Sequence, residues 1–200
     1  MHSELPFSQA CENNKAPILE KLQLSFAQVR HVLEIGSGTG QHAVHFATHL
    51  PHLCWQASDQ PQYVADLALR VQRAQLPNLP QPLVIDVMQT ALLSPQVDAV
   101  FTANTLHIMS MPMVERFFAS LNTWLNPTAT LCIYGPFNYN GQFTSASNQA
   151  FDHSLKQRDP AMGIRDMEMI QQLAAAQHFQ LQDDFAMPAN NRLLWFKRNG

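Results

Sequence analysis

Cysteine is scarce. The 200 residues carry three, Cys11, Cys54 and Cys132, far apart in the chain. An odd number at such spacing makes neither a disulfide framework nor a zinc-binding set, and it fits a reducing compartment. Basic residues are also few: twelve Lys and Arg are scattered rather than clustered, and the formal net charge is −3. That balance argues against a protein that tracks a phosphate backbone, so nucleic acid is not expected as a partner. No apolar run approaches the roughly 18 residues of a membrane span. The opening MHSELPFSQA has neither the basic region nor the apolar core of a secretory signal. Internal repeats, low-complexity tracts and an interdomain linker are missing as well. The expectation is a soluble, cytoplasmic chain with no membrane partner. A hydrophobic content of 46% suffices for one sizeable core in a single domain spanning residues 1–200.

What the sequence does have is alternation between strand-length apolar runs and longer helical patterns. Asn13 or Asn14 is positioned to cap a first helix, about 14–27, with Pro17 in its first turn. HVLEIG (31–36), CWQAS (54–58), PLVIDV (82–87), VDAVFTAN (97–104) and TATLCIYG (128–135) read as strands. Helical segments fall between them, the clearest after Ser110, where Val114, Phe117, Phe118, Leu121, Trp124 and Leu125 share one face. Asp166 starts a further helix, and FQLQDDFAM (179–187) with NRLLWFKR (191–198) reads as an antiparallel pair. The order predicts an α/β fold with a parallel sheet between helical layers and an antiparallel edge. Residues 136–165 stand apart as a long, polar, weakly periodic insertion, read as a functional loop or lid.

The stretch VLEIGSGTGQHAVHFA (32–47) carries the chemistry. Dinucleotide loops space their glycines G-x-G-x-x-G so that a pyrophosphate sits on the helix N-terminus. Here Gly36, Gly38 and Gly40 give G-x-G-x-G around Ser37 and Thr39, and His42 follows in the first turn of the helix. Glu34 stands two residues before the first glycine, where a carboxylate would repel a pyrophosphate. It suits instead a ligand with an ammonium group and no phosphates, such as S-adenosylmethionine. Asp59, nineteen residues past Gly40, is spaced to accept hydrogen bonds from ribose hydroxyls. Asp86, with Val87 beside it, is expected at the adenine after the third strand.

Residues 31–135 resemble a class I S-adenosylmethionine-dependent methyltransferase. That resemblance implies a three-layer Rossmann-like fold with a seven-stranded, mostly parallel sheet and an antiparallel last strand. A narrower resemblance spans nearly the whole chain. CENNKAPIL (11–19), the glycine loop, LPHLCWQASD (50–59), residues 134–166 and MPANNRLLWF (187–196) are similar to a family of small methyltransferase-like proteins known as a domain of unknown function. The family implies fold and cofactor without supplying a reaction.

In methyltransferase folds the segment after strand four lines the methionine end of the cofactor, which implicates Asn104 and His107 of TANTLHIM (102–109). His107 is either a general base toward an acceptor or a residue packed at the strand end. The [DN]-P-P-[YF] stretch of enzymes that methylate exocyclic amines of DNA bases does not occur at Asn-Thr-Leu-His (104–107). After strand five, Tyr134, Phe137, Tyr139 and Phe143 are candidates to flank a flat or cationic acceptor, with Asn138 and Asn140 orienting it. They are equally suited to packing a lid onto its own domain. Asn148, Arg158, Asp159, Asn190 and Asn191 are further polar candidates, and Asn13, Asn14 and Lys15 are candidates to close the cofactor site. His42, His45, His49 and His52 share a helical face, but a zinc site needs converging carboxylate or cysteine ligands, and no metal is expected. Two functions fit: a methyltransferase for a small-molecule acceptor, or a catalytically silent module that binds S-adenosylmethionine. A nicotinamide oxidoreductase is disfavoured by Glu34 and the glycine spacing.

Overall fold

A parallel strand covered on both faces must be apolar almost throughout, and β1 (His31–Ile35) is buried from Val32 onward. The computed structural model describes residues 5–89 and 93–200, so the first four residues of MHSELPFSQA lie outside it. β1 pairs in parallel with β2 (Cys54–Asp59) on one side and β4 (Val97–Ala103) on the other. The short β3 (Leu83–Val84) extends the sheet beyond β2, and β5 (Leu125–Gly135) extends it beyond β4. The final strand, β9 (Asn191–Arg198), runs antiparallel to β5 and separates it from the edge strand β8 (Gln180–Met187). The resulting order is β3-β2-β1-β4-β5-β9-β8. This is the seven-stranded, mostly parallel sheet with an antiparallel last strand that the family resemblance implies.

Strand parity divides the core into two layers. Leu33, Ile35, Val100 and Leu131 meet α4 (Met111–Trp124) and α6 (Met167–Ala175) on one face. Val32, Trp55, Phe101 and Cys132 meet α1 (Gln9–Ser25), α2 (Gln41–His49) and α3 (Val64–Ala74) on the other. In α4, Val114, Phe117, Phe118, Leu121 and Trp124 are all fully buried, as their spacing predicts. Leu125, placed on that stripe, instead opens β5 without an intervening loop.

Several boundaries differ from the sequence reading. α1 begins at Gln9, where the Ser8 hydroxyl accepts a hydrogen bond from the Cys11 amide, so Asn13 and Asn14 lie inside the helix and Pro17 in its interior. Only Leu83 and Val84 of PLVIDV join the ladder, because Ile85 and Val87 turn toward a cavity at the sheet edge. The insertion 136–165 is not an open loop. It contains β6 (Phe137–Asn138) paired with β7 (Arg165–Asp166), and between them the helix α5 (Ala146–Arg158), whose Ser145 hydroxyl accepts from the Asn148 amide. The helix escapes sequence periodicity because two of its three buried residues, Asn148 and Asp152, are polar and only Leu155 is apolar. Among the described residues no helix is long and apolar enough to cross a membrane.

The reversal of strand order between β1 and β4 opens a crevice at the carboxyl ends of the strands. Gly40 fixes how the chain enters α2 beside that crevice. It takes φ +74°, and a Cβ there would stand 2.7 Å from Leu67 Cδ1 and 3.1 Å from Arg70 Cδ. Gly40→Ala is expected to destabilise the protein by about 1–3 kcal/mol through left-handed strain and overpacking against α3. Urea unfolding measures this, and an unchanged midpoint would mean that α3 yields freely.

Candidate functional site

The crevice holds a cavity of about 910 Å³. Its first wall is the glycine loop. Gly36 and Ser37 amides donate to the Ser58 carbonyl at 3.1 and 2.9 Å, Gly38 donates to Asp59 Oδ2 at 2.6 Å, and Gly40 donates to the Ser37 carbonyl. Four of the five loop amides are thus committed within the protein, which leaves no cradle of free amides for a pyrophosphate. Gly38 has φ +53° and open space where a side chain would project, so the loop surface is bare toward the cavity. Asp59 Oδ1 accepts from the Gln60 amide at 2.7 Å. Each carboxylate oxygen keeps lone-pair capacity for a hydroxyl donor. Burial pushes the Asp59 carboxyl above its usual range, opposed by the Gly38 and Gln60 amides.

α1 closes the second wall. The side chain of Gln41 accepts from the Ser8 amide at 2.6 Å and donates to Glu12, lacing the start of α1 onto α2. His42 Nε2 lies 2.6 Å from Asn14 Oδ1. Burial pushes His42 down to about 4, so the neutral ring donates that bond at neutral pH. Asn13, Asn14, Thr39 and His42 line the cavity, whereas Lys15 pairs with Glu12 away from it.

Glu34 does not line the cavity, contrary to the direct contact with a ligand ammonium that its position in the motif suggests. Strand alternation turns it into the α1–α3 layer, where it is 1% exposed and its Oε2 accepts from Trp55 Nε1 at 2.9 Å. Burial pushes it up to about 7, although the Trp55 and Ser37 hydrogen bonds favour the charged form. Asp86 is also off the wall, because its carboxylate accepts from the Met88 amide and so closes its own turn. Ile85 and Val87 on either side of it line the cavity with Tyr63, giving that end an apolar surface.

The opposite end forms around the exit of β4. Asn104 takes φ +57°, its amide donates to the Tyr134 carbonyl, and both residues line the cavity. His107 is 7% exposed, meets the Phe151 ring edge-on at 5.2 Å, and is pushed down to about 4 by burial and by Arg165 and Arg158. Two anchors hold its loop. The Gly163 amide donates to the His107 carbonyl at 2.9 Å, and the buried Arg165 guanidinium donates to the carbonyls of Leu106, Met109 and Ala161. The α5 helix docks on the turn between β8 and β9 through Asn148, which donates to Thr144 Oγ1 and the Asn190 carbonyl. Asn148, Arg158, Asn190 and Asn191 all reach the wall.

Other candidates do not reach it. Phe137 is a core residue, and the Asn138 side-chain oxygen is buried without a partner beneath the insertion. Tyr139 donates to Asp184 Oδ2 at 2.6 Å with Arg192 over its ring, so its hydroxyl serves β8. Gly40, Asn140, Phe143 and Asp159 are also off the wall. Asn140 donates its amide to Glu168, and Asp159 accepts from Ala161. Among the described residues no group of three or more His, Cys, Asp or Glu is arranged to hold a metal. Sequence reasoning missed Phe151, Arg165 and the methionines Met109, Met113 and Met162. Phe151, Met162 and Arg165 sit in the polar insertion, whose helix carries no apolar period, and Met109 and Met113 carry no motif that marks them.

Residues 5–198 match the family model described as "Protein of unknown function (DUF938)". The chain belongs to the DUF938 family. Among solved structures, this DUF938 protein is similar to an O-methyltransferase family protein from Burkholderia thailandensis, with 14% identity, 93% of this chain and 56% of that one covered, and a TM-score of 0.81. It is also similar to an O-methyltransferase family 2 protein from Planctomyces limnophilus in complex with apigenin, with 14% identity, coverages of 95% and 58%, and a TM-score of 0.79. The S-adenosylmethionine-dependent methyltransferase SibL in its apo form gives 18% identity, coverages of 96% and 56%, and a TM-score of 0.79. The DUF938 chain spans little more than half the length of these structures, and the likeness is one of fold: that of the class I methyltransferases.

The buried groups of the DUF938 chain predict opposing pH dependences. Glu34, raised to about 7 from 4.5, contributes stability that is present below pH 4.5 and lost as pH rises through 7. His42 and His107, lowered to about 4 from 6.5, contribute stability that is present above pH 6.5 and lost as pH falls through 4. Glu34→Gln is therefore expected to gain on wild type between about pH 5 and pH 8, by up to on the order of 3 kcal/mol. Chemical denaturation across that range tests it, and a difference independent of pH would mean Glu34 is charged in the fold.

Proposed function

We propose that this chain is an S-adenosylmethionine-dependent methyltransferase acting on a small-molecule acceptor, with His107 taking the acceptor's proton. The observation that carries the reading is one continuous cavity, with the glycine loop and Asp59 at one end and His107 and Phe151 at the other. A volume of about 910 Å³ lies near the upper end for ligand sites, which suits a cofactor and an acceptor side by side.

The residues present fit the cofactor. Asp59 has free lone pairs for ribose hydroxyls, Tyr63, Ile85 and Val87 offer apolar faces to an adenine, and the committed loop amides suit a ligand without phosphates. Asn13, Asn14, Asn104 and Tyr134 supply polar groups for an amino-acid tail. Glu34 would act on that tail only through the layer beneath the wall. Bound there, S-adenosylmethionine supplies an electrophilic methyl group on a sulfonium. His107 is neutral at physiological pH and has a ring nitrogen able to accept a proton from a hydroxyl. Its lowered proton affinity makes it a modest base, so alignment by the Arg165-anchored loop carries much of the work. A small acceptor agrees with the size of the half-open cavity and with the apigenin bound to the structurally similar Planctomyces limnophilus protein.

Calorimetry is expected to detect S-adenosylmethionine binding and no comparable binding of NAD, and Asp59→Ala is expected to weaken it by at least about tenfold. Preference for NAD, or full affinity in Asp59→Ala, overturns the cofactor assignment. Incubation with methyl-labelled cofactor and a metabolite extract should label an acceptor. His107→Ala should lower that turnover by about a hundredfold or more, and the acid limb of kcat/KM should fall near pH 4. Cofactor binding with no label transfer in any fraction would favour the silent binding module.

A further inference from the structure

Only two side chains on the cavity wall carry a permanent charge among the described residues: Asp59 at the glycine loop and Arg158 at the end of α5. Asp59 is already engaged by two backbone amides. The Arg158 side chain makes no hydrogen bond or ion pair with any described residue, and its neighbour Asp159 is turned away to cap the Ala161 amide. The carboxylate nearest in the helix, Asp152, is taken by Lys156 and the Ile164 amide. The polar groups around the start of α5 are committed to one another. Both amide protons of Asn148 go to Thr144 and Asn190, the Asn190 side chain donates to Ser147, and Ser147 pairs with Ser145. Arg158 is therefore the uncommitted cationic donor on the wall, and it disfavours a charged His107.

The cavity wall also carries polarizable apolar groups: Met109, Met113 and Met162 line it, and the Phe151 ring, 40% exposed, stands edge-on to the His107 imidazole. Thioethers and a ring edge favour contact with a flat apolar body. No carboxylate at this end would receive a cationic amine. A sulfonium cofactor adds a further positive charge, so an anionic acceptor is favoured and a cationic one disfavoured.

We propose that this end of the cavity is a subsite for a flat, apolar small-molecule acid, with its carboxylate held by the Arg158 guanidinium and its ring seated on Phe151 and the three methionines. A planar guanidinium matches a carboxylate with two parallel hydrogen bonds, which a neutral amide isostere cannot reproduce. The proposal rests on reading the same cavity as an acceptor site, and it narrows the acceptor from any small molecule to an aromatic or similarly flat acid. Of the flat or cationic acceptor that the aromatic residues of the insertion suggest from sequence, it keeps the flat one.

The test is binding, not turnover. A set of aromatic hydroxy acids, with 4-hydroxybenzoate and salicylate among them, is titrated beside the matching primary amides by ligand-observed NMR and calorimetry on the full chain. Acids are expected to bind about tenfold or more tightly than their amides. Arg158→Gln is expected to erase that preference, and Arg158→Lys to keep part of it. Arg158 is exposed, so neither variant threatens the fold. Equal affinity of acids and amides, a preference that survives Arg158→Gln, or no binding of any acid overturns the subsite. Titration of S-adenosylmethionine alone separates the two readings. Acid binding that depends on Arg158 without cofactor binding would sink the methyltransferase and leave the subsite, and the converse result would do the reverse.

Discussion

The hydrogen bond from the Gly38 amide to the Asp59 carboxylate holds the whole cavity in register. It joins the end of β1 to the end of β2 at 2.6 Å, and it is backed by Ser37 and Ser58, whose amides and hydroxyls lace the same two strand ends. With those ends tied, the chain leaves β1 for α2 in one direction while β4 leaves in the other, and the crevice opens between them. A loop that spends its amides on its neighbour strand presents a bare backbone to the crevice instead of a phosphate cradle. The proposed preference for a ligand without phosphates rests on that bonding of the loop.

Burial then sorts the charges around that crevice. Glu34 beneath the loop, His42 under α1 and His107 at the far end are all driven toward their neutral forms by loss of water. The Asn14 side-chain oxygen and the Phe151 ring suit the neutral His42 and His107, whereas the Trp55 indole N–H opposes burial by favouring the charged Glu34. What remains charged on the wall is Asp59 at one end and Arg158 at the other. A long cavity with opposite charges at its two ends orients whatever enters it.

The insertion supplies the second end at little cost in core. Arg165 is the fastener. It satisfies three carbonyls at once, two of them on the loop that carries His107, so the segment after α5 is fastened to the β4 exit. The Gly163 amide bond to the His107 carbonyl adds a second point of attachment. Tyr139 and Asp184 do the same job on the other side, fixing the insertion to β8.

Much of this was legible from residues alone, wherever one periodicity or one backbone requirement dominated. The α4 stripe, the β8–β9 pair, the strand–helix alternation and the glycine loop followed from apolar spacing and from glycines that the turn demands. The α5 helix did not, because its inward face is Asn148, Asp152 and Leu155, and two polar residues hide a helical period. Glu34 was correctly marked as unusual but wrongly aimed, since a one-residue step along a strand decides between cavity and core and only the packed layers fix that parity. By itself, the sequence determined the strand order of the central sheet and the glycine loop that borders its crevice. Tertiary structure decided which polar groups are spent on each other and which remain free, because that depends on partners as far as 107 residues apart brought within hydrogen-bond reach.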